Sequence, residues 1–534
     1  MTIPTTMARK TKLGVVAAAL TLVAACSGGG ASNDASNAEP QKGGTLEVAL
    51  NADPATLDWT STSAVVTRAV GWNVFEQLFA LDKNYEVRPM LADGFSMAKN
   101  KLAYTITLRE GITFHDGSAF DAEDAVASLK RWGAVSGAGI QAFSHITSVT
   151  AENPTTVEIK LDSPFTPLIT SLADVRQAAI MIPSEIADAA GSDALQDDQI
   201  IGTGPYKYAS REPGSLITLE RFEDYSSRSE DWGGLAGAKA AYLDTLKYNI
   251  VTDAQVRVNG VQTGQYDFAV NIPQDLYEQV KSIPTVDPYI VSPYAWLAFV
   301  FNKAEPPFDD VRMRQAVSAA LNLEQVGTAA VGNQDLFTLD SSIFFAEQES
   351  LHTTEGTELY SPEQDVEEAK TLLKEAGYDG APIRLLTTKD YPAFYNAAVA
   401  VASQLKDVGF NVKIQVYDWP TVLERREDAN AYDIFTTTSS PSFDPTSMTW
   451  MVPGAWPGFY ESPAMDKLLD QWAASSDPDV QQDLLAEMNK VVYTEVPEIK
   501  GPVLSALYVG GKNLGGYPNW MDATFWNAWV SNGQ

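Results

Sequence analysis

Short stretches that alternate apolar and polar residues recur along the chain, between longer stretches with helical spacing. Thr45–Leu50 (T-L-E-V-A-L) alternates with a period of two, which is typical of a half-buried strand. Strands predicted in this way cover residues 45–50, 102–108, 157–161, 246–250, 298–301, 383–387 and 412–417. Helices are predicted over residues 70–79, 121–131, 256–263, 311–321, 366–376 and 393–408. This alternation, without an internal repeat, indicates a mixed α/β protein.

The segment that starts at Asp121 has the features of a helix N-terminus. Its sequence, D-A-E-D-A-V-A-S-L-K-R, opens on a capping residue and carries acids in the first turn and cations in the last. Both placements suit the helix dipole, so we expect Asp121 to cap a helix that begins directly after it.

The charge balance of the chain is strongly acidic. Over 534 residues, 37 Lys and Arg oppose 69 Asp and Glu, which gives a net charge of −32. Such a surface would repel a polyanion, so nucleic acid is not expected as a partner and a soluble monomer is favoured. At this length we expect about two to four domains.

Residues that could form a catalytic or metal site are sparse. The single cysteine excludes an internal disulfide and a cysteine-rich metal site, and His115, His145 and His352 lie far apart in the sequence. The sequence has no G-x-S-x-G, H-E-x-x-H or P-loop motif. We therefore expect no enzymatic activity, no metal and no cofactor.

The first 26 residues read as a targeting segment. Arg9, Lys10 and Lys12 precede an apolar run of about 13 residues, which is too short to span a bilayer as a helix. The run ends in V-A-A-C at 23–26, which resembles the lipobox of bacterial lipoproteins. We expect residues 1–25 to be removed, Cys26 to carry the lipid, and the polar residues 26–44 to form a flexible tether. A free thiol in an ordinary signal peptide is the alternative.

A series of motifs follows in order from residue 43. They are G-G-T-L-E-V-A-L-N-A-D-P-A-T-L-D-W at 43–59, L-R-E-G-I-T-F-H-D-G-S-A-F-D-A-E-D-A-V-A-S-L at 108–129, G-T-G-P-Y-K-Y at 202–208, Y-L-D at 242–244, G-Q-Y-D-F-A at 264–269, F-N-K-A-E-P-P-F-D-D-V-R-M-R-Q-A-V-S-A-A-L-N at 301–322 and A-K-T-L-L-K-E-A-G-Y at 369–378. Together they resemble the large extracytoplasmic solute-binding proteins of ABC importers, family 5, which take up peptides, nickel and related solutes.

The resemblance implies an α/β, two-lobed periplasmic-binding-protein fold of the three-domain class with a hinge. Domain I would comprise residues 45–74, 200–290 and 505–534, domain II residues 75–199, and domain III residues 291–504. The solute would be enclosed by hinge closure, and the closed form would dock on an ABC permease with its ATPase. The protein would be extracytoplasmic and held to the cell membrane, at the surface or in the periplasm, by its lipid alone.

The resemblance also implies which side chains line the cleft. The candidate ligand contacts are Trp419, Thr437, Thr438, Ser439, Ser440, Ser442, Asp444, Trp296, Tyr294, Ser61, Phe143 and Arg426. Trp450 and Trp456 are equally compatible with a cleft wall and with a core. Arg425 and Arg426 lie near the position at which relatives bind a ligand carboxylate, although an E-R-R-E run also suits a solvated helix face.

One departure from the family pattern bears on the solute. Peptide binders of the family carry an aspartate for the peptide ammonium where this chain has Pro441 or Ser442, and Asp444 is assigned to a turn beside Pro445. A buried ammonium without a counter-charge is costly, so a free-amino peptide is disfavoured. The hydroxyl-rich run 436–440 suits a neutral polyol, an amide or a blocked peptide. An oligosaccharide, an opine, a metal chelate, and a sensory protein not coupled to transport remain open.

Overall fold

The computed structural model describes residues 39–452, 454 and 456–531. The predicted signal peptide, Cys26 and most of the predicted tether lie outside the described residues, so those assignments stay predictions. Among the described residues, no helix combines the length and apolar character that crossing a membrane would require.

The described chain alternates strands and helices from end to end. The strands are β1 (Thr45–Leu50), β2 (Phe79–Leu81), β3 (Val87–Pro89), β4 (Ala92–Met97), β5 (Ala103–Leu108), β6 (Ile146–Asn153), β7 (Thr156–Leu161), β8 (Tyr206–Glu212), β9 (Leu216–Arg221), β10 (Thr245–Ile250), β11 (Phe268–Ile272), β12 (Val286–Phe301), β13 (Phe337–Thr338), β14 (Ile383–Thr388), β15 (Val412–Tyr417), β16 (Ile434–Ser439), β17 (Glu498–Gly511), β18 (Leu514–Gly515) and β19 (Trp529–Val530). The helices are α1 (Val65–Val74), α2 (Ala122–Val135), α3 (Gly137–Phe143), α4 (Leu168–Leu172), α5 (Ser184–Ala190), α6 (Ala254–Thr263), α7 (Tyr277–Lys281), α8 (Val311–Ala319), α9 (Leu323–Val331), α10 (Val366–Glu375), α11 (Pro392–Val408), α12 (Trp419–Arg425), α13 (Pro463–Ala474) and α14 (Pro478–Glu495).

One large sheet runs through the molecule. Within the described residues it has eleven strands, in the order β15-β14-β16-β12-β17-β11-β1-β10-β9-β8, with β13 paired to β17. The two longest strands, β12 and β17, form its middle as an antiparallel ladder from Val286 opposite Gly511 to Val300 opposite Glu498. The register of this ladder shifts between Val291 and Ala295. Both ends of the sheet are therefore joined through one ladder that is interrupted near its centre.

A second, four-stranded sheet has the order β4-β5-β7-β6 and is covered by α2. Asp121 caps α2 as predicted, because its carboxylate accepts hydrogen bonds from the backbone N–H groups of Glu123 and Asp124. The carboxylate of Asp124 in turn accepts the backbone N–H of Asp121. The helix continues to Val135, four residues beyond the predicted end, and its added turn buries Trp132, whose indole packs against Phe143 and donates to the carbonyl of Gln177 at 3.1 Å.

Two of the sequence motifs meet at His115. Its Nδ1 accepts the backbone N–H of Gly202 at 3.2 Å, so Nε2 carries the proton and donates to the carbonyl of Gly204 at 2.9 Å. Burial lowers the pKa of His115 to about 4, which keeps the ring neutral. A Cβ atom at Gly202 would lie 2.2 Å from the Val74 carbonyl oxygen, which explains the glycine in G-T-G-P. The prediction that His115 is structural is confirmed.

Two predicted elements were placed wrongly. The helix predicted over 70–79 is α1, which begins at Val65 and ends at Val74, and Phe79 belongs to β2. The helix stops because Glu76 and Gln77 leave it to bind buried partners, Glu76 pairing with Lys239 at 3.2 Å. The strand predicted over 298–301 is only the end of β12, whose Pro288 and Pro293 hide the period of two.

Candidate ligand-binding cleft

A cavity of about 370 Å³ lies between two groups of side chains. The first wall consists of Ser63, Val65, Arg68, Val175, Arg176 and Met521. The second wall consists of Arg426, residues 437–443, residues 447–450 and Trp456. The floor is formed by Pro293 and Tyr294 of β12, where the register of the central ladder shifts. A volume of this size falls within the roughly 300–1,000 Å³ of small-molecule sites.

Two other depressions, of about 640 and 420 Å³, lie elsewhere and share no lining residue with this cavity. We take the smaller cavity as the candidate site because seven of the predicted ligand contacts converge there. These are Tyr294, Arg426, Thr437, Thr438, Ser439, Ser440 and Ser442. Their place in the cavity is observed, and their role in binding stays a prediction.

The hydroxyl groups of the second wall come from the end of β16. This strand pairs antiparallel with β12, so that Thr437 lies opposite Ala298 and Ser439 opposite Trp296. Its β-branched sequence, I-F-T-T-T-S, suits a buried strand. Thr436 is turned away from the cavity and donates to Thr387 Oγ1 at 2.7 Å. The run of hydroxyls is therefore divided between the interior and the cavity.

Not every hydroxyl on the second wall is free to meet a ligand. Ser442 donates to the carbonyl of Asp444 at 3.1 Å and lies 2.5 Å from Ser447 Oγ. Its own carbonyl accepts from Gln348 Nε2 at 2.6 Å. Ser442 thus holds the loop in shape. The hydroxyls of Thr437, which is buried, and of the more exposed Thr438, Ser440 and Thr449 remain as donors on this wall.

Aromatic rings and guanidinium groups complete the lining. Trp456 packs against Phe435 at 5.6 Å and lies beneath the guanidinium of Arg426, 5.5 Å from its ring centroid. Trp450 forms the opposite part of the second wall and makes an edge contact with Trp296 at 6.1 Å. Trp450 and Trp456 both line the cavity, and Trp450 is at the same time part of the buried core around Trp296.

Five predicted contacts do not line this cavity. Trp296 is buried behind Trp450 and donates to Glu498 Oε1 at 3.0 Å. Asp444 caps the short helix Pro445–Ser447 and accepts from Trp472 Nε1 at 2.7 Å, so the predicted turn role is confirmed. Trp419 packs edge-on against Tyr391 and Phe394 at the start of α12, outside the cavity.

The last two of these residues lie on the side of the first wall. Ser61 donates its hydroxyl to the carbonyl of Asp58 at 3.0 Å, which closes a local turn. Phe143 packs against Trp132 at the end of α3. The segment that carries Phe143 reaches the cleft through a different residue, Gln141, which donates to the carbonyl of Thr446 at 2.8 Å.

Further hydrogen bonds connect the chain around the two walls. Arg176 Nη1 donates to the carbonyl of Ser447 at 3.3 Å. Thr166 donates its backbone N–H to Ala473 at 2.9 Å and its hydroxyl to the carbonyl of Ser475 at 2.6 Å. Lys101 Nζ donates to the carbonyl of Ala474 at 2.7 Å. The structure therefore shows hydrogen bonds between segments on the two sides, with a partly open cavity between the walls.

A buried carboxyl group lies directly behind the second wall. Glu498 accepts from Trp296, and burial raises the pKa of Glu498 to about 7 against the opposing effects of Trp296, Lys303 and Ser439. Burial also lowers the pKa of Lys500 to about 8 and that of Lys303 to about 7. Of these three buried groups, Glu498 interacts with Ser439 of β16, whereas Lys303 donates to the carbonyls of Phe301 and Pro497 and Lys500 donates to that of Ser342.

Comparison with known proteins decides the family. The model of bacterial extracellular solute-binding proteins, family 5, middle region, matches residues 86–458. The chain belongs to this family. The predicted resemblance and the α/β two-lobed fold are confirmed, and the protein is an extracytoplasmic solute-binding protein.

Relatives within family 5 cover most of the chain. A probable peptide ABC transporter periplasmic-binding protein of Sinorhizobium fredii, y4tO, is 29% identical over 470 residues, which are 85% of this chain and 87% of the relative. The glutathione-binding protein GsiB of Salmonella paratyphi A is 27% identical over 496 residues, which are 88% of this chain and 91% of the relative.

Solved structures share the family 5 fold. AgaA of A. tumefaciens R10, in complex with agropinic acid, superposes with a TM-score of 0.75 at 22% identity and covers 92% of this chain and 99% of its own. DppA of Helicobacter pylori, in complex with the peptide STSA, gives a TM-score of 0.75 at 20% identity with the same coverage. At these identities the likeness concerns the fold.

Several lining residues of this family 5 protein were not predicted from its sequence. Arg68 and Arg176 lie in segments without a motif and read as ordinary surface cations. Met521 comes from the C-terminal segment and reaches the cleft only because β17 returns to the first half of the sheet. The alternation in E-I-K at 498–500, two charged residues on one face of an otherwise apolar strand, was a signal for the buried charges.

Proposed function

We propose that this protein captures a small polar solute in the cavity between the two walls and delivers it to an ABC permease. The observation that carries the proposal is the convergence of Tyr294, Arg426 and Thr437–Ser440 on one cavity. Closure of the walls would stabilise the bound state through the bonds at Thr166 and Arg176. Import is supported by the relative named a probable peptide ABC transporter periplasmic-binding protein, and capture of a small solute by the relative named a glutathione-binding protein. The protein would make or break no bond in the solute.

The proposal keeps the predicted division into lobes. Domain I (45–74, 200–290 and 505–534) and domain II (75–199) would provide the first wall, and domain III (291–504) the second. The register shift between Val291 and Ala295 supports a hinge at the predicted boundary. The protein would act as a monomer, held to the membrane by a lipid on Cys26, with residues 26–44 as its tether.

The solute class is peptide-like, and a non-peptide solute such as an opine is the second candidate. The structural neighbour solved with agropinic acid shows that this fold holds a non-peptide ligand elsewhere in the family. The lack of an aspartate at Pro441 or Ser442 favours a solute without a free ammonium.

The test is a thermal-shift screen of the protein without residues 1–25, followed by calorimetry on the best solute. The panel contains free-amino tripeptides, N-blocked peptides, oligosaccharides, opines and nickel chelates. Trp456→Ala is expected to weaken binding of the best solute about 10-fold or more, because it removes an aromatic wall. Trp419→Ala serves as the matched control and is expected to leave affinity unchanged. The opposite pattern, or no stabilisation by any class, would refute capture in this cavity.

Lipid attachment and transport need a separate experiment. Cys26→Ala is expected to release the protein from membranes into soluble fractions, with the solute affinity unchanged. Deletion of the adjacent permease gene is expected to abolish uptake of the same solute. Normal uptake after that deletion would favour a sensory role instead.

A further inference from the structure

The charge of the cavity lining is opposite in sign to that of the whole chain. The protein carries a net charge of −32, yet three arginines, Arg68, Arg176 and Arg426, line the cavity. Among the described residues of the lining, none is acidic. A cavity with only cationic charges on its surface favours anions and disfavours ammonium groups.

The carboxylates that pair with two of these arginines are buried away from the cavity and already form ion pairs. Arg68 pairs with Asp522 at 3.0 Å, and Arg176 pairs with Asp174 at 2.5 Å. The side chains of Asp522 and Asp174 are only 1% and 5% exposed, so neither reaches the cavity. Both carboxylate oxygens of Asp444 are likewise occupied, by Thr446 and Trp472. An ammonium group in the cavity would meet no free carboxylate from these residues.

Arg426 differs from the other two arginines because its guanidinium is not satisfied. It makes no hydrogen bond to another described residue, and its one ion pair is a 3.6 Å contact with Glu427, whose side chain is 62% exposed. Its Nε is buried without a hydrogen-bond partner. Trp456 and Phe435 hold the group by cation–π contacts at 5.5 and 5.9 Å. The guanidinium is therefore held in place and largely buried, and its one described ionic partner is the long contact with the exposed carboxylate of Glu427.

Tyr294 adds a neutral donor on the floor of the cavity. Burial raises the pKa of Tyr294 to about 12, so its hydroxyl keeps its proton. No hydrogen bond joins this hydroxyl to another described residue. The hydroxyls of Thr437 and Thr438 add further donors on the second wall.

We infer that the cleft selects an acidic solute: a small molecule that presents a carboxylate to Arg426 and carries no free ammonium group. The inference rests on the proposed function and narrows its solute class. A planar guanidinium and a carboxylate form two parallel hydrogen bonds, and a charge-assisted bond is roughly twice as strong as a neutral one. Blocked acidic peptides and acidic sugar or amino-acid conjugates meet this description, whereas neutral oligosaccharides do not.

The test uses three dipeptide probes that differ in charge. They are N-acetyl-Ala-Glu, with two carboxylates and no amine, its neutral twin N-acetyl-Ala-Gln amide, and the cationic Ala-Lys amide. Calorimetry on the protein without residues 1–25 is expected to show the acidic probe binding about 10-fold or more tighter than the other two.

Neighbouring arginines provide the matched variants. Arg426→Gln is expected to weaken binding of the acidic probe about 10- to 100-fold, because it removes the guanidinium that would pair with the carboxylate. The affinity for the neutral probe is expected to stay unchanged. Arg425→Gln removes the same charge one residue away, where the guanidinium stacks on Tyr417 at 4.6 Å outside the cavity. It is expected to have little effect on any probe. Unchanged thermal midpoints for both variants confirm folding.

The outcomes separate this inference from the proposed function. If the neutral or the cationic probe binds most tightly in the cavity, the inference of an acidic solute is refuted, whereas the proposed capture of a solute is not. Equal effects of Arg425→Gln and Arg426→Gln also overturn it, since they would indicate a non-local electrostatic effect of positive charge and no direct contact between Arg426 and the solute. Absence of binding by all three probes overturns the inference as stated, while the wider solute panel still judges capture itself.

Discussion

A buried ion pair fixes the loop that leads into the first wall, and its removal gives a sharp stability prediction. Arg131 Nη2 lies 2.5 Å from Asp58 Oδ2, and the two side chains are 2% and 0% exposed. Asp58 also accepts the backbone N–H groups of Thr60 at 3.0 Å and Leu195 at 3.2 Å. Asp58→Asn keeps the shape but leaves the charge of Arg131 uncompensated in the interior.

The expected cost follows from the burial of the pair. Removing one partner of a buried ion pair typically costs about 3–5 kcal/mol, because the remaining charge is left desolvated. Once Asp58 is replaced, the carbonyl of Asp193, 2.7 Å from Nη2, remains as a partner of Arg131, and one neutral acceptor does not balance a guanidinium. The loss should appear as local opening of the loop at 58–63 and of α2.

Hydrogen exchange measured by mass spectrometry is the suitable assay, because it reports the local opening of each of these segments. A loss of about 3 kcal/mol corresponds to exchange about 100-fold faster in peptides that cover 58–63 and 122–135. Asp310→Asn is the matched control, since Asp310 pairs with Arg312 at the same 2.5 Å but with side chains 28% and 48% exposed. It is expected to change exchange little.

A double variant checks the cause. Asp58→Asn with Arg131→Met removes both charges, and it is expected to recover much of the lost protection. Exchange within threefold of the native rate for Asp58→Asn, or no recovery in the double variant, would refute the assigned role of this ion pair.

Three further predictions concern titration and closure. The pKa of His115 is lowered to about 4 by burial, so its contribution to stability is present above the ordinary pKa of about 6.5 and is lost as the pH falls towards 4. In chemical unfolding at several pH values, the free energy of unfolding of His115→Gln should fall less steeply with decreasing pH than that of the native protein. An identical pH dependence would contradict a neutral, buried His115 ring. The pKa of Glu498 is raised to about 7, so its contribution has the opposite sign and is lost as the pH rises from about 4.5 through 7. The free energy of unfolding of Glu498→Gln should therefore depend less on pH in this range. A variant that is destabilised equally at pH 5 and pH 8 would contradict a raised pKa of the Glu498 carboxyl. Thr166→Val deletes the hydroxyl that donates to Ser475, so it should weaken solute binding by about 3- to 10-fold through the open–closed equilibrium. Ser163→Ala is its control, and equal affinities for the two variants in calorimetry would show that the bond does not report closure.

Sequence patterns predicted several elements with a solvent-exposed face well, although β9, α13 and α14, which also have exposed positions, were not predicted. β15 matches its prediction at both ends, and α10 and α11 differ by one residue, because their exposed positions create a clear period. β17 was missed because all 14 of its residues are buried, which leaves no polar face to mark it. Its neighbour β12 was largely missed because two prolines interrupt it.

The cleft was only partly predictable for a related reason. Thr437–Ser440 belong to a recognisable hydroxyl run, and the structure places them on the cavity. Trp419 was placed there through the family resemblance, but α12 turns its indole towards Tyr391 and Phe394. Arg68 and Arg176 could not have been selected, since a guanidinium facing a cavity and one facing solvent have the same sequence context.

The floor of the cavity coincides with the interruption in the central ladder. Pro293 and Tyr294 line the cavity and stand within the register shift between Val291 and Ala295, while Trp296 begins the rigid pairing with β16. The proposed hinge and the proposed binding site would thus share one short piece of backbone. A spectroscopic label placed beside Tyr294 is expected to respond to binding, since a solute in this cavity would alter the surroundings of the segment proposed to bend. The same arrangement makes this scaffold suitable as a genetically encoded sensor once its solute is known.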